Sequence, residues 1–176
     1  LEWELLLHHN THIHYDFHHG TGETGNFAAA DHEDDSYLEL CLTVTDSGGL
    51  QDTDCISLYP NTVTYTFATL PTGLTLSYSG ISQTTPFTVT ATVGGQRTIG
   101  APVSQSGVYF SNWSDAGTPT HNILIQSTPI TLTAEYGTTP FAIVWDGGGT
   151  TNNWSEAANW SPNTVPGPLD YALFNG

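Results

Sequence analysis

Hydrophobic residues in this chain recur at every second position, in short runs broken by Gly, Pro, Asn and Asp. The stretch Thr62-Val63-Thr64-Tyr65-Thr66-Phe67 shows the pattern: threonines alternate with larger apolar residues. In an extended chain, residues two apart share a face, so this alternation predicts half-buried strands. Strands are expected at about 2–9, 12–17, 37–45, 53–59, 62–69, 73–79, 85–93, 96–102, 107–113, 120–126, 130–136 and 141–145. No stretch of useful length has helical periodicity; Glu156-Ala157-Ala158 offers one turn. Many short strands joined by turn residues predict an all-β chain of tandem immunoglobulin-like β-sandwich modules.

The run Tyr37 to Val44 and the run Asp54 to Leu58 flank Asp46-Ser47-Gly48-Gly49-Leu50, which has turn chemistry. A hairpin centred on Gly48 pairs Leu40 with Ile56, Leu38 with Leu58, and Cys41 with Cys55. The leucines then share the core face and the cysteines share the other. Directly opposed positions bring Cα atoms to about 4.5–5.5 Å, within disulfide range. The expected Cys41–Cys55 disulfide implies an oxidising compartment outside the cell.

Composition divides the chain into three parts. Residues 1–60 hold 12 of the 17 acidic residues and seven of the eight histidines. Residues 61–136 are almost uncharged, and residues 137–176 are rich in Trp and Gly. Pro60-Asn61 and Gly137-Thr138-Thr139-Pro140 are the expected boundaries. A start at Leu1 and a strand-like run from Tyr171 to Phe174 read as two severed ends of a longer chain.

Arg97 is the single basic residue beside the histidines, and the formal net charge is −16. Nucleic-acid binding needs Lys and Arg to displace counterions, so it is excluded as a function class. Anionic membranes are disfavoured on the same grounds, and no apolar run is long enough for a membrane-spanning helix.

Seven histidines fall within the first 32 residues. If the first strand runs on through residue 14, His8, His12 and His14 share one face with Asn10, while His9 lies opposite. Imidazole suits Zn and Cu, so these three are the leading metal ligands, with His9, His32 and Asp34 behind them. Ligation uses the neutral ring, so affinity is expected to fall as pH drops through ~6.5. The carboxylates of Asp31, Glu33, Asp34 and Asp35 suit Ca²⁺ by type, but they lack the spacing of a known Ca²⁺ loop.

Trp113, Trp154 and Trp160 are candidate platforms for stacking on surface glycans, against the commoner role of core anchor. Each sits in an Asn-Trp-Ser triplet that also matches the N-glycosylation pattern. Gly-X-Ser-X-Gly elbows and phosphate-binding glycine loops are absent, and no carboxylate pair stands out. No catalysis is expected in this chain.

Residues 1–60 resemble the latter part of a polycystin-type (PKD) immunoglobulin-like domain. The carriers are Trp3 and the run Leu40-Cys41-Leu42-Thr43-Val44-Thr45-Asp46-Ser47-Gly48-Gly49-Leu50. The opening strands of that family are missing, so this module is expected to be incomplete. His8 to His14 replace its usual aspartate-glycine loop. The variant is similar to modules attached to bacterial secreted sugar dehydrogenases. Pro71-Thr72-Gly73-Leu74-Thr75-Leu76 and Thr84-Thr85-Pro86-Phe87 resemble the PEGA repeat. Phe110 to Asp115 with Ile130 to Tyr136 resemble bacterial immunoglobulin-like repeats. Trp145-Asp146-Gly147-Gly148-Gly149, Asn153-Trp154-Ser155 and Asn159-Trp160-Ser161 resemble the opening of autotransporter-like β-solenoid proteins.

Together the resemblances imply a structural or adhesive segment of a large extracellular protein. Its partners would be other modules of the chain, or identical subunits joined by strand pairing into a fibre or layer. They also leave open an accessory module, binding carbohydrate or metal, of a secreted sugar dehydrogenase or glycosidase.

Overall fold

The alternating runs become strands in a computed structural model of the chain, which describes residues 1–138, 142–167 and 170–174. Among these the chain is all-β, with one turn of 3-10 helix at Ala157–Asn159. It divides into two compact units. The first holds Leu1–Val63 with Thr90–Gly95 and Ile125–Ser127, and the second holds the other described residues. The boundary expected at Gly137-Thr138-Thr139-Pro140 lies partly outside the described residues.

The first unit is built on β1 (Glu2–His9), β2 (His12–Thr21), β3 (Tyr37–Thr45) and β4 (Gln51–Leu58), in the order β2-β1-β3-β4. All pairs are antiparallel, and the register stacks Trp3 on Leu42, Leu5 on Leu40 and Leu7 on Leu38. The expected hairpin forms: Leu40 opposes Ile56, Leu38 opposes Leu58, and Cys41 opposes Cys55. Its turn is closed by Asp46, whose Oδ1 accepts from the Gly48 and Leu50 amides at 2.7 and 2.9 Å. Cys41 and Cys55 are disulfide-bonded, with Cα atoms 4.0 Å apart.

One face of this sheet carries the apolar stripe, and a strap of residues 22–36 without a strand runs along it. The strap lines an apolar cleft of about 250 Å³ with Trp3, Phe27, Leu40 and Leu42. Gly20 and Gly25 are required here, because a Cβ on either would fall within 2.3 Å of the Trp3 indole. Covering is incomplete: Leu42 and Ile56 keep 40% and 55% of their surface exposed.

The second unit contains most of a sandwich, although Thr62–Val63 and Thr90–Thr92 of its strands are grouped with the first unit. Its strands are β5 (Thr62–Leu70), β6 (Thr75–Tyr78), β7 (Ile81–Thr84), β8 (Phe87–Thr92), β9 (Gln96–Gly100), β10 (Ser104–Gln105), β11 (Val108–Trp113), β12 (Thr120–Leu124) and β13 (Ile130–Gly137). One sheet runs β10-β11-β13-β5-β8 and the other β12-β9-β6-β7. β13 joins β5 in parallel, pairing Leu132 with Phe67. Phe67, Leu76, Ile99, Phe110, Trp113 and Ala134 are fully buried. The Phe67 ring lies 5.4 Å from Tyr78 of the other sheet and 5.1 Å from Phe87 of its own.

The Tyr136 hydroxyl at the rim of this core is paired, as burial requires. The Tyr136 hydroxyl donates to the Pro102 carbonyl at 3.0 Å and accepts from Gln105 Nε2 at 2.7 Å. Burial pushes its phenol up to about 12, against a smaller lowering by Gln105.

A small sheet of β14 (Ala142–Trp145), β15 (Trp160–Ser161) and β16 (Tyr171–Phe174) completes the described chain, in the order β15-β14-β16. Trp160 is buried, with Trp145, Trp154 and Phe174 around it at 4.5–5.7 Å between rings.

Candidate metal centre

The histidine cluster is made by a turn. Asn10 and Thr11 alone separate β1 from β2, and Asn10 adopts the left-handed conformation at φ 48°. Asn tolerates that conformation better than most residues. Two acidic side chains at the end of the strap hold the turn. Asp35 Oδ2 accepts from the Asn10 amide at 3.0 Å, and Glu33 Oε2 accepts from Asn10 Nδ2.

Reversal at Asn10 restarts the alternation, so His9 pairs with His12 and Leu7 with His14. Opposed residues share a face, which gathers His9, His12 and His14. The expectation that His8, His12 and His14 share a face, with His9 opposite, therefore does not hold. It rested on an extended chain through residue 14, and the chain turns back at residue 10. His8 lies on the other face, 2.9 Å from Glu39 Oε2 and stacked 4.5 Å from Tyr37.

The three rings present their Nε2 atoms to one another. His9 and His14 Nε2 are 2.8 Å apart, and His12 and His14 Nε2 are 3.2 Å apart. One ligand atom from each of the three lies within 4.8 Å of the others. Around a tetrahedral Zn²⁺ with bonds of about 2.0–2.1 Å, ligand nitrogens stand about 3.3 Å apart. His9 is buried and His12 and His14 are exposed, so the set has one anchored member and an open side.

His9 is also oriented from behind. Its Nδ1 lies 3.3 Å from Glu33 Oε2. An ionised carboxylate can only accept, so the His9 tautomer that bonds to it is the one with N–H at Nδ1, whose Nε2 lone pair faces the cluster. A carboxylate behind a histidine is the usual outer partner of a metal ligand.

His32 lies beside the cluster, with its ring 4.2 Å from His9 and 5.6 Å from His14. Its Nδ1 accepts from the Glu33 amide at 3.0 Å. Asp34 reaches outside the cluster, where its Oδ1 accepts from the Thr92 amide at 2.8 Å. Glu33, Asp34 and Asp35 thus each accept from a protein donor. A second grouping, Glu39 with Cys41 and Cys55, offers no thiolate because its sulfurs form the disulfide.

Of the other histidines, His18 packs 5.4 Å from Trp3. His19 lines an acidic cleft with Glu2, Glu4 and Asp16. His121 sits in the second unit, with Nε2 3.0 Å from Asp115 and Nδ1 2.7 Å from the Thr118 carbonyl.

Two of the three candidate sugar platforms have no open face. Trp113 is buried and donates from Nε1 to the Pro119 carbonyl at 3.1 Å; Trp160 is buried and donates to the Trp154 carbonyl at 2.8 Å. Trp154 is half exposed. The sequence pattern ranks His9 below His8, His12 and His14 and does not single out Glu33 among the nearby carboxylates. The signal for both was Asn10-Thr11, a two-residue turn between alternating runs.

The chain matches no family model, and no significant match to it is found among curated proteins or among solved structures.

Proposed function

We propose that the chain is a non-catalytic structural segment of an extracellular protein, and that its first sheet binds one divalent transition metal ion. The observation that carries the metal reading is the convergence of the His9, His12 and His14 Nε2 atoms at spacings close to those around a tetrahedral ion. Nitrogen donors favour Zn²⁺ or Cu²⁺ over Ca²⁺. Three side chains from two adjacent strands form a rigid base, and the hairpin ladder holds it before any ion arrives.

The Cys41–Cys55 disulfide supports the extracellular reading, because such bonds persist in oxidising compartments. The abundance of sheet and the high negative charge suit a durable, soluble module. Assembly with other modules or with identical subunits by strand pairing belongs to the same reading, since β2 and β4 are the outer strands of the first sheet.

Elemental analysis and Zn²⁺ or Cu²⁺ titration of the chain test the metal site. One equivalent is expected in the parent protein, and loss of binding in His9→Ala and in the His12→Ala, His14→Ala double variant. Binding that survives both variants, or no binding at all, overturns the proposal.

A further inference from the structure

We infer that Glu33 is a positioning residue for this metal site, and that through it metal binding fastens the strap of residues 22–36 onto the first sheet. The inference rests on the metal reading above and adds a second effect to it.

Glu33 occupies a junction. Its Oε2 faces His9 Nδ1 at 3.3 Å and also accepts from Asn10 Nδ2, so one carboxylate oxygen touches a ligand ring and the turn that gathers the ligands. The Glu33 carbonyl accepts from the Ser36 amide at 3.1 Å and from Ser36 Oγ at 2.7 Å, which ties it into the end of the strap. Its amide donates to His32. At the other end, the Gly22 amide donates to the Leu1 carbonyl at 3.1 Å, and Gly25 lies against the Trp3 indole. The middle of the strap, including Phe27, Ala29 and Ala30, borders clefts that Leu7, Leu38 and Leu40 of the sheet also line.

Tautomer choice links the two ends of this chain of contacts. A neutral His9 has one N–H. With the proton on Nε2, it points at His14 and leaves a lone pair on Nδ1 facing the Glu33 carboxylate, which is repulsive. With the proton on Nδ1, it donates to Glu33 and presents the Nε2 lone pair to an ion. Metal ligation through Nε2 selects the second tautomer and makes its N–H a stronger donor. The contact that orients the ligand is therefore also the contact that holds the strap. Linkage makes the effect reciprocal: an anchored strap raises metal affinity by the factor by which metal favours the anchored strap.

The test compares the parent chain with Glu33→Gln and Glu33→Ala by Zn²⁺ titration, by hydrogen exchange over residues 22–36 with and without Zn²⁺, and by imidazole ¹⁵N spectra of His9. In the parent, Zn²⁺ is expected to slow exchange in the strap and to hold His9 as the Nδ1–H tautomer. Removing the carboxylate is expected to weaken Zn²⁺ binding by about 10- to 100-fold, the range for outer partners of metal ligands. The Gln variant, which keeps an acceptor oxygen, is expected to fall between the parent and Ala. Strap exchange in the Ala variant should no longer respond to Zn²⁺.

If the parent binds Zn²⁺ while Glu33→Ala binds within twofold of it, or while strap exchange ignores the metal, this inference fails and the metal site stands. If the parent does not bind, the metal site itself fails and takes the linkage with it.

Discussion

The sandwich of the second unit and the sheet of the first use the same alternating pattern, yet they are held by different forces. In the sandwich both sheets face a shared core, and Phe67, Leu76 and Ile99 retain no exposed surface. In the first unit the apolar stripe meets a strap instead of a second sheet, and Leu42, Ile56 and Val44 keep 40–55% of theirs. What the first unit lacks in burial it replaces with a disulfide and with side-chain ties from Glu33, Asp34 and Asp35. The contrast teaches that an alternating strand sets which face is apolar, while the covering layer decides how much that face contributes.

The sharpest way to break the comparison is a pair of truncations. Phe67→Ala removes a fully buried ring and is expected to cost about 3–5 kcal/mol. Ile56→Ala removes a side chain whose exposure is above half, so about 1 kcal/mol is expected, well under the value for full burial. Urea denaturation, with hydrogen exchange reporting each unit, measures both. Equal costs would mean that Ile56 is covered by something the strap does not provide.

The disulfide comes next. Cys41 and Cys55 are 14 residues apart, and closing a loop of about 15 residues contributes about 3 kcal/mol in the chain-entropy account. The Cys41→Ser, Cys55→Ser double variant is expected to lose about that much from the first unit. Amide protection in the second unit should stay unchanged, and a matching loss there would show that the two do not differ as described.

Tyr136 tests the rim of the sandwich at smaller scale. Tyr136→Phe removes the donor to the Pro102 carbonyl and one acceptor of Gln105 Nε2, which keeps its bond to the Thr75 carbonyl, at an expected cost of about 1–2 kcal/mol. Burial holds the phenol at about 12 in the folded chain, above its ordinary 10.0. A raised phenol contributes stability that is present below pH 10 and is lost as pH climbs through about 12. Thermal melts across that window should fall more steeply for the parent than for the Phe variant.

Much of the fold was legible because it depends on local alternation. The strand at 37–45 and its hairpin partner came with the register that joins Cys41 to Cys55, since Gly48 and Gly49 fixed the centre of the turn. Strand β7 (Ile81–Thr84) was missed because all four of its residues are exposed and only Ile81 is apolar. The parallel pairing of β5 with β13 was illegible, because no local pattern reports which strand lies beside which. The histidine site was half legible. Residue type pointed to the cluster, but its membership turned on one backbone reversal at Asn10, which exchanged His8 for His9. The Asp34 bond to the Thr92 amide was illegible for a non-local reason: the two residues are 58 apart.

The smallest effect concerns the loop that carries the Trp-rich segment, where polar ties again act in place of burial. Glu156 is partly exposed, yet its carboxylate accepts from the Thr150 and Thr151 amides at 2.8 and 2.7 Å and from both threonine hydroxyls. Those donors, led by the Thr151 hydroxyl, hold it at about 2, well below its ordinary 4.5. A depressed carboxylate contributes order that is present above pH 4.5 and is lost as pH falls through about 2. The loop it closes also places Asn159, whose buried side chain bonds to Gly149, Thr151 and Asn153. Amide shifts of Thr150 and Thr151, followed from pH 6 to pH 1.5, should move with a midpoint near 2, alongside the fluorescence of the neighbouring tryptophans. In Glu156→Gln the same shifts should be flat with pH and their exchange faster at neutrality. A midpoint near 4.5 in the parent would mean that this carboxylate is simply solvated, and that the loop is ordered by its tryptophans alone.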